Sequence, residues 1–116
     1  MRERAAGWLK HSTDVTPIRT VEHPAVVLRQ MPHGFLVIHG TSTPRNREGR
    51  NVESGTPDPD VLVVEPDTPD GEVLGLRNLT YFHRRASRFV RDPGDFRSIG
   101  KCSPELFTRL RELVGF

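Results

Sequence analysis

The sequence predicts a mainly β domain, a small and highly curved antiparallel barrel that ends in one helix. Short apolar, β-branched segments separated by turn residues support this prediction, together with one amphipathic segment at the carboxy end. Ten Pro and ten Gly among 116 residues interrupt the chain often, which favours short strands over long helices. Residues 1–116 suit a single domain, with a poorly defined front end at residues 1–20. Typical strand lengths then give about five to seven strands.

The clearest pair of strands forms a hairpin in the first half of the chain. Pro24 cannot donate to a ladder, so it suits the first position of a strand, and a β-branched apolar run follows it. Residues 31–34 contain Pro and Gly and are typical of a turn. A second apolar run comes directly after this turn. Strands are therefore predicted near Ala25–Gln30 and Phe35–His39.

Weaker signals complete the predicted sheet. Residues 6–9 fit either a first strand or a short helical turn. Residues 61–64 are wholly apolar, which indicates a strand buried on both faces or one at a dimer contact. The Asp–Gly step in residues 66–71 is typical of a hairpin turn. Further strands are predicted at residues 73–76, 79–83 and 88–90, and the predicted core contains Val26, Leu28, Leu36, Ile38, Val61, Val63, Leu76, Phe107 and Leu110.

The carboxy-terminal segment carries the strongest helical pattern. Ser103 suits the N-cap, and Pro104 suits the first helical position, where its missing N–H costs nothing. Gly115 suits the end of the helix. Apolar residues recur between these ends at helical spacing and form one stripe for the core: Leu106, Phe107, Leu110, Leu113 and Val114.

Charge is strongly segregated along the chain. Residues 77–101 hold seven cations and two acids, a balance of +5, whereas residues 42–76 hold three cations and eight acids, a balance of −5. Nearly all of the cations are Arg, whose planar guanidinium suits phosphate. The basic segment therefore favours a polyanionic partner. An Arg-rich but merely solvated surface explains the same pattern equally well.

The order of these motifs resembles the MazF/PemK toxins of bacterial toxin–antitoxin pairs, which are small SH3-like barrels. In that family a basic residue precedes Pro-Ala-Val-Val-Leu, as His23 does here, and the next apolar strand ends at a Thr–Thr or Thr–Ser pair, as at Thr41 and Ser42. A Gly–Lys step and Ser/Ala-Pro-Glu introduce the family's terminal helix, as residues 100–105 do here. The similarity runs from His23 to Gly115.

The resemblance implies the toxin component of a type II toxin–antitoxin system, a metal-independent endoribonuclease that cleaves single-stranded RNA without a cofactor. It also implies a cognate antitoxin peptide as the partner. A homodimer is predicted from the residues themselves, because residues 61–64 and 74–76 offer more apolar surface than one thin barrel of this size can bury. Carried over residue by residue, the family's catalytic Thr falls on Thr41, with Ser42 beside it. The family's Arg falls on His23, which is a departure. An Arg elsewhere is then the candidate for the missing charge: Arg19, Arg45 or Arg85.

Metal-free RNA cleavage needs a proton acceptor for the 2′-hydroxyl, donors for the charged phosphorane and a proton for the leaving 5′-oxygen. Imidazole suits the proton transfers because it titrates near neutrality. His39 lies two residues before Thr41, so both side chains face the same way on a continuing strand. We therefore predict catalytic roles for His23, Thr41 and His39, and RNA contacts for Ser42, Thr43, Arg45, Arg84 and Arg85.

Two other interpretations of these residues stay open. His23 and His39 also fit half-buried strand histidines without chemistry, and residues 41–43 also fit a turn cap. Residues 7–9 are all that matches the family's first strand, and the segment after them differs from the family's covering loop. A non-catalytic SH3-like barrel that binds nucleic acid or a partner peptide is therefore the alternative. Gyrase poisoning, as in the related CcdB fold, has no residue support beyond fold similarity.

Composition argues against several other classes. No apolar run approaches the ~20 residues that span a bilayer, and the amino terminus lacks the apolar stretch of a secretory signal. We therefore expect a cytoplasmic protein with no membrane partner. Five scattered His and one Cys show no zinc spacing, so no metal site is expected. Cys102 has no paired His or Asp spacing and is predicted to be a structural thiol.

Overall fold

A computed structural model describes residues 2–12, 20–42 and 59–116. Helix α1 spans Pro69–Val73, helix α2 spans Pro104–Val114, and a 3₁₀ turn covers Pro93–Asp95. No helix within the described ranges is long and apolar enough to cross a membrane. These ranges contain six strands: β1 (Ala5–Ser12), β2 (Thr20–Met31), β3 (Gly34–Thr41), β4 (Val61–Val64), β5 (Thr80–Val90) and β6 (Phe96–Lys101).

The strands form one antiparallel sheet in the order β4-β5-β3-β2-β1-β6. The mainly β class with a carboxy-terminal helix is therefore confirmed. The predicted barrel is only partly realised, because the sheet curls without closing and leaves β4 and β6 as its edges. Curling brings distant strands together, since the rings of Phe35 on β3 and Phe96 on β6 lie 5.9 Å apart, edge to face.

Both faces of the sheet bury apolar side chains, so the central strands are almost continuously apolar. On β2, for example, Val26 and Leu28 face one way and Ala25 and Val27 face the other, and all four are fully buried. The helix-covered core contains Ala6, Val26, Leu28, Ile38, Leu62, Val64, Leu74, Phe82, Cys102, Leu106 and Leu110. The inner core, on the other face, contains Ala5, Leu9, Ala25, Val27, Phe35, Val37, Val90 and Phe96.

Helix α2 begins and ends as the sequence predicts. The hydroxyl of Ser103 accepts the N–H of Leu106 at 3.1 Å, and Pro104 occupies the first turn. Gly115 ends the helix with φ of +99°, a left-handed conformation that glycine adopts without steric cost. Asp70 fixes the cap from outside, because its carboxylate accepts the N–H and the O–H of Ser103, each at 2.7 Å. The local sequence signals at both ends were therefore sufficient to predict where this helix begins and ends.

The segment after β4 corrects two predictions. The Asp–Gly step lies inside α1 and makes no hairpin, and residues 73–76 form the end of α1 and a loop, not a strand. The physical reason is an N-terminal helix signal that outweighs the turn signal: Thr68 accepts the N–H of Gly71 at 3.1 Å, and Pro69 follows it in the first turn. Residues 88–90 belong to β5 and add no separate strand.

The predicted core is partly correct. Val26, Leu28, Ile38 and Leu110 are fully buried, whereas four other predicted members, Leu36, Val61, Leu76 and Phe107, are half-buried. The prediction that Val63 belongs to the core was wrong, because its side chain is 46% exposed. β4 is an edge strand that alternates normally, so Leu62 and Val64 face the core and Val63 faces outward. Leu74, which the dimer prediction counted as surplus apolar surface, is fully buried.

Candidate nucleic-acid cleft

A cleft of about 590 Å³ opens where β1, β2 and β3 approach the loop between α1 and β5. Its volume lies within the ~300–1,000 Å³ typical of ligand sites. Gly75 opens the loop with φ of +65°, a conformation that a β-carbon would strain. The lining residues are Trp8, Glu22, His23, Pro24, Thr41, Ser42, Gly75, Leu76, Arg77, Asn78, Thr80 and Arg97.

Three neighbouring strands place one row of the lining. Trp8 on β1 pairs with Pro24 on β2 and with Arg97 on β6, so the three residues lie side by side across the sheet. Pro24 lies inside β2 and not at its first position. The β2–β3 ladder begins only at Ala25, so at Pro24 one side of the strand has no ladder partner. A strand tolerates Pro at such a place.

Two predicted catalytic residues line the cleft, and the third lies against one of them. His23 and Thr41 line it together with Ser42, which was predicted to contact RNA. His39 is absent from the described lining, but its ring centroid lies 5.6 Å from that of His23, with 39° between the planes. His39 pairs with Ala25, so the two imidazoles are diagonal neighbours across β2 and β3. The β2–β3 hairpin therefore brings all three predicted catalytic residues to one rim.

Two arginines that were not selected from the sequence supply the positive charge of the cleft. Arg97 Nη2 lies 3.0 Å from Glu22 Oε2, and both side chains are partly exposed, so the pair is weak. Arg77 is exposed and has no ion-pair partner among the described residues. Sequence reasoning counted both residues in the basic segment but had no signal to choose them. The register of β6 on β1 is what places Arg97 beside Trp8.

The predicted RNA contacts Arg84 and Arg85 lie on a different part of the molecule. Ile38 pairs with Ser87 and Gly40 with Phe82, so residues 83–86 stand opposite a single residue of β3 and form a β5 bulge. Arg84 Nη1 lies 3.4 Å from Oδ1 of the buried Asp60, whereas the side chain of Arg85 is exposed. Neither arginine lines the cleft.

The remaining predicted residues cannot be assigned to the cleft. Thr43 and Arg45 lie outside the described residues, as does Arg19. Among the described residues, Ser42 is thus the one predicted RNA contact that lies with the predicted catalytic residues.

Cys102 is placed as a structural thiol would be. It is buried in the helix-covered core, and burial, with the nearby Asp70 carboxylate as a second cause, raises the pKa of its thiol from 9.0 to about 11. The thiolate needed for nucleophilic attack is therefore scarce at neutral pH. The geometry supports the prediction that this residue has no catalytic role.

Comparison with models of known protein families gave no match for this chain. Comparison with curated protein sequences gave no significant match either. The resemblance to the MazF/PemK toxins therefore rests on the sequence motifs alone.

Proposed function

We propose that this protein is an endoribonuclease that cleaves single-stranded RNA in the cleft, by attack of a ribose 2′-hydroxyl on the adjacent phosphate. The observation that carries the proposal is the convergence of His23, Thr41 and two guanidinium groups, those of Arg77 and Arg97, on one cavity. These residues match the chemical requirements of the reaction. The ordered resemblance to the MazF/PemK toxins supports the same activity.

In the proposed reaction His23 moves one proton. Its imidazole takes the proton of the 2′-hydroxyl while the 2′-oxygen forms a bond to phosphorus. The bond from phosphorus to the 5′-oxygen then breaks, and the imidazolium returns the proton to that oxygen. The products are a 2′,3′-cyclic phosphate and a free 5′-hydroxyl. His39 acts through His23, because its ring lies against the His23 ring and sets the position from which the proton moves.

Stabilisation of the negative charge on the phosphorane is the second requirement. Thr41 and Ser42 supply hydroxyl donors, and Arg97 and Arg77 supply guanidinium groups within the same cavity. The family's basic residue is replaced by His23, and these two arginines compensate for the missing charge. A phosphate oxygen competes with the Glu22 carboxylate for Arg97, and the exposure of that ion pair makes the exchange inexpensive.

Incubation with an oligoribonucleotide in EDTA tests the activity. We expect cyclic-phosphate products that appear with the wild-type protein and disappear with Thr41→Ala. The alternative is a non-catalytic barrel that binds nucleic acid or a peptide, and His23 at the position of the family's Arg favours it. RNA binding without any cleavage would select that alternative.

The cellular role is proposed to be that of a cytoplasmic toxin. Expression in bacteria should arrest growth, and co-expression of the adjacent small open reading frame should restore it. The antitoxin peptide and the homodimer stay predictions. Light scattering at micromolar concentration tests the dimer, for which the exposed Val63 and Leu79 offer apolar surface.

A further inference from the structure

We propose that the cleft contains a subsite for one nucleobase, which stacks on the indole of Trp8 and presents its edge to Asn78. The ligand class, single-stranded RNA, rests on the proposed function. The subsite itself rests on which side chains the fold brings to the wall and the loop of the cleft.

The indole is suited to stacking by its surroundings. Trp8 is half-buried and lines the cavity, with Pro24 on one neighbouring strand and Arg97 on the other. A core tryptophan would instead be covered by apolar side chains, and Trp8 belongs to neither apolar core. Single-stranded RNA is commonly held by bases stacked on aromatic rings, with phosphates on nearby cations. Arg97, opposite Trp8 on the neighbouring strand, provides such a cation in the same cavity.

The loop contributes the second feature of the subsite. Asn78 lines the same cavity from the connection between α1 and β5, and its side chain is exposed. Its backbone carbonyl accepts the hydroxyl of Thr80 at 3.3 Å, which ties the loop to the start of β5. An amide offers both a donor and an acceptor, so it can distinguish one base edge from another. Trp8 therefore supplies affinity for any base, and Asn78 supplies selection among bases.

Fluorescence gives a direct test because Trp8 is the single tryptophan of the chain. The probe is a 2′-O-methyl oligoribonucleotide, which cannot be cleaved because its 2′-oxygen carries no proton. We expect saturable quenching of Trp8 as this probe binds. An abasic oligonucleotide with the same number of phosphates should bind through the cations and leave the fluorescence unchanged.

Substitutions separate stacking from folding. Trp8→Leu removes the aromatic face and should weaken binding of the probe by ~5-fold to ~150-fold, the range for loss of one stacked base. Trp8→Phe keeps an aromatic face and should restore most of the affinity. Asn78→Ala should preserve quenching and reduce the difference in affinity among probes that carry different bases.

Binding of the probe is followed independently by the anisotropy of a labelled oligonucleotide. Two results would overturn the subsite: the probe binds and Trp8 fluorescence stays unchanged, or the probe does not bind at all. The cleavage assay distinguishes this failure from failure of the proposed function. If the wild-type protein cuts RNA and the fluorescence of Trp8 does not respond, the proposed function is supported and the subsite is refuted. If Trp8 is quenched and the protein never cuts RNA, the subsite is supported and the catalytic proposal is refuted.

Discussion

The cleft and the β5 bulge both present two arginines, but they differ in what surrounds the charge. In the cleft, Arg77 and Arg97 share a cavity with hydroxyl groups, an imidazole and an indole. On the bulge, Arg84 is turned to the buried Asp60, and Arg85 projects from an exposed strand segment. The two regions therefore carry similar positive charge but differ in the functional groups that surround it.

This difference shows that charge density along a sequence does not locate a site. Residues 77–101 are rich in Arg, yet the fold places Arg77 and Arg97 in the cleft and Arg84 and Arg85 on the β5 bulge. A concave wall lets several groups reach one ligand. We therefore propose that the activity resides in the cleft, and we treat the bulge as the matched comparison.

The largest expected effect is on cleavage itself. Thr41→Ala and His23→Ala should each lower the rate of RNA cleavage by at least ~100-fold, because each removes a group that acts in the transition state. Arg85→Ala is the control from the bulge and should leave the rate within about twofold, as expected for an exposed side chain outside a site. Single-turnover assays on one oligoribonucleotide measure all three. A loss for Arg85→Ala as large as that for Thr41→Ala would show that the bulge also takes part in the reaction and would contradict its use as a control.

The next effect concerns the fold that both regions share. Because the folded state raises the pKa of Cys102 from 9.0 to about 11, the neutral thiol contributes stability that is fully present below pH 9 and is lost as pH rises through about 11. Wild type should lose about 2 kcal/mol of unfolding free energy through this group over that interval. Cys102→Ala should lack this component, and His23→Ala should retain it.

Urea unfolding of the three proteins at several alkaline pH values makes the measurement. The difference between wild type and Cys102→Ala isolates the thiol from the other groups that titrate there. An identical pH slope for those two proteins would show that the thiol is not buried as described. A His23→Ala protein with the wild-type slope confirms that its loss of activity is not a loss of fold.

A smaller effect distinguishes the arginines by their location. Arg97→Ala should weaken RNA binding by ~10-fold and lower the slope of log affinity against log salt by ~1, because one charged contact to phosphate is lost. Arg85→Ala removes the same charge from the bulge and should change both quantities less. Glu22→Gln frees Arg97 and should tighten binding. Binding titrations at several salt concentrations would refute the assignment if Arg97→Ala and Arg85→Ala behaved alike.

The smallest effect is expected for loss of the ion pair between Arg84 on the bulge and Asp60. Arg84→Ala should reduce the free energy of unfolding by less than ~1 kcal/mol, since the Arg84 side chain is half exposed and solvent screens the pair. The backbone N–H of residue 84 still donates to the Asp60 carbonyl, at 2.8 Å in the wild type. RNA cleavage should be unchanged. Thermal unfolding and the cleavage assay check the two outcomes, and a large loss of cleavage would give the bulge a role in the reaction.

The sequence by itself determined the elements that depend on neighbouring residues. Ser103, Pro104 and Gly115 marked helix α2 because capping is a local interaction. The β2–β3 hairpin was predicted by its apolar runs and turn, and its register brings His23 close to His39 and Thr41 to the same end. Part of the candidate site therefore follows from local sequence alone, because the two strands of a hairpin are neighbours in the sheet by construction.

Only the tertiary structure decided which distant groups join that site. Arg97 lies opposite Trp8 because β6 pairs with β1, and Arg77 lies in the loop after α1, a helix that formed where the Asp–Gly step predicted a hairpin. Pairing of strands far apart in sequence depends on burial over the whole sheet, and no local residue pattern encodes it. The burial of Cys102, which makes its thiol inert, arises in the same way from the packing of α2 on the sheet. Interactions between neighbouring residues thus determine the hairpin that carries His23, and packing of the whole sheet determines which charged side chains lie near His23.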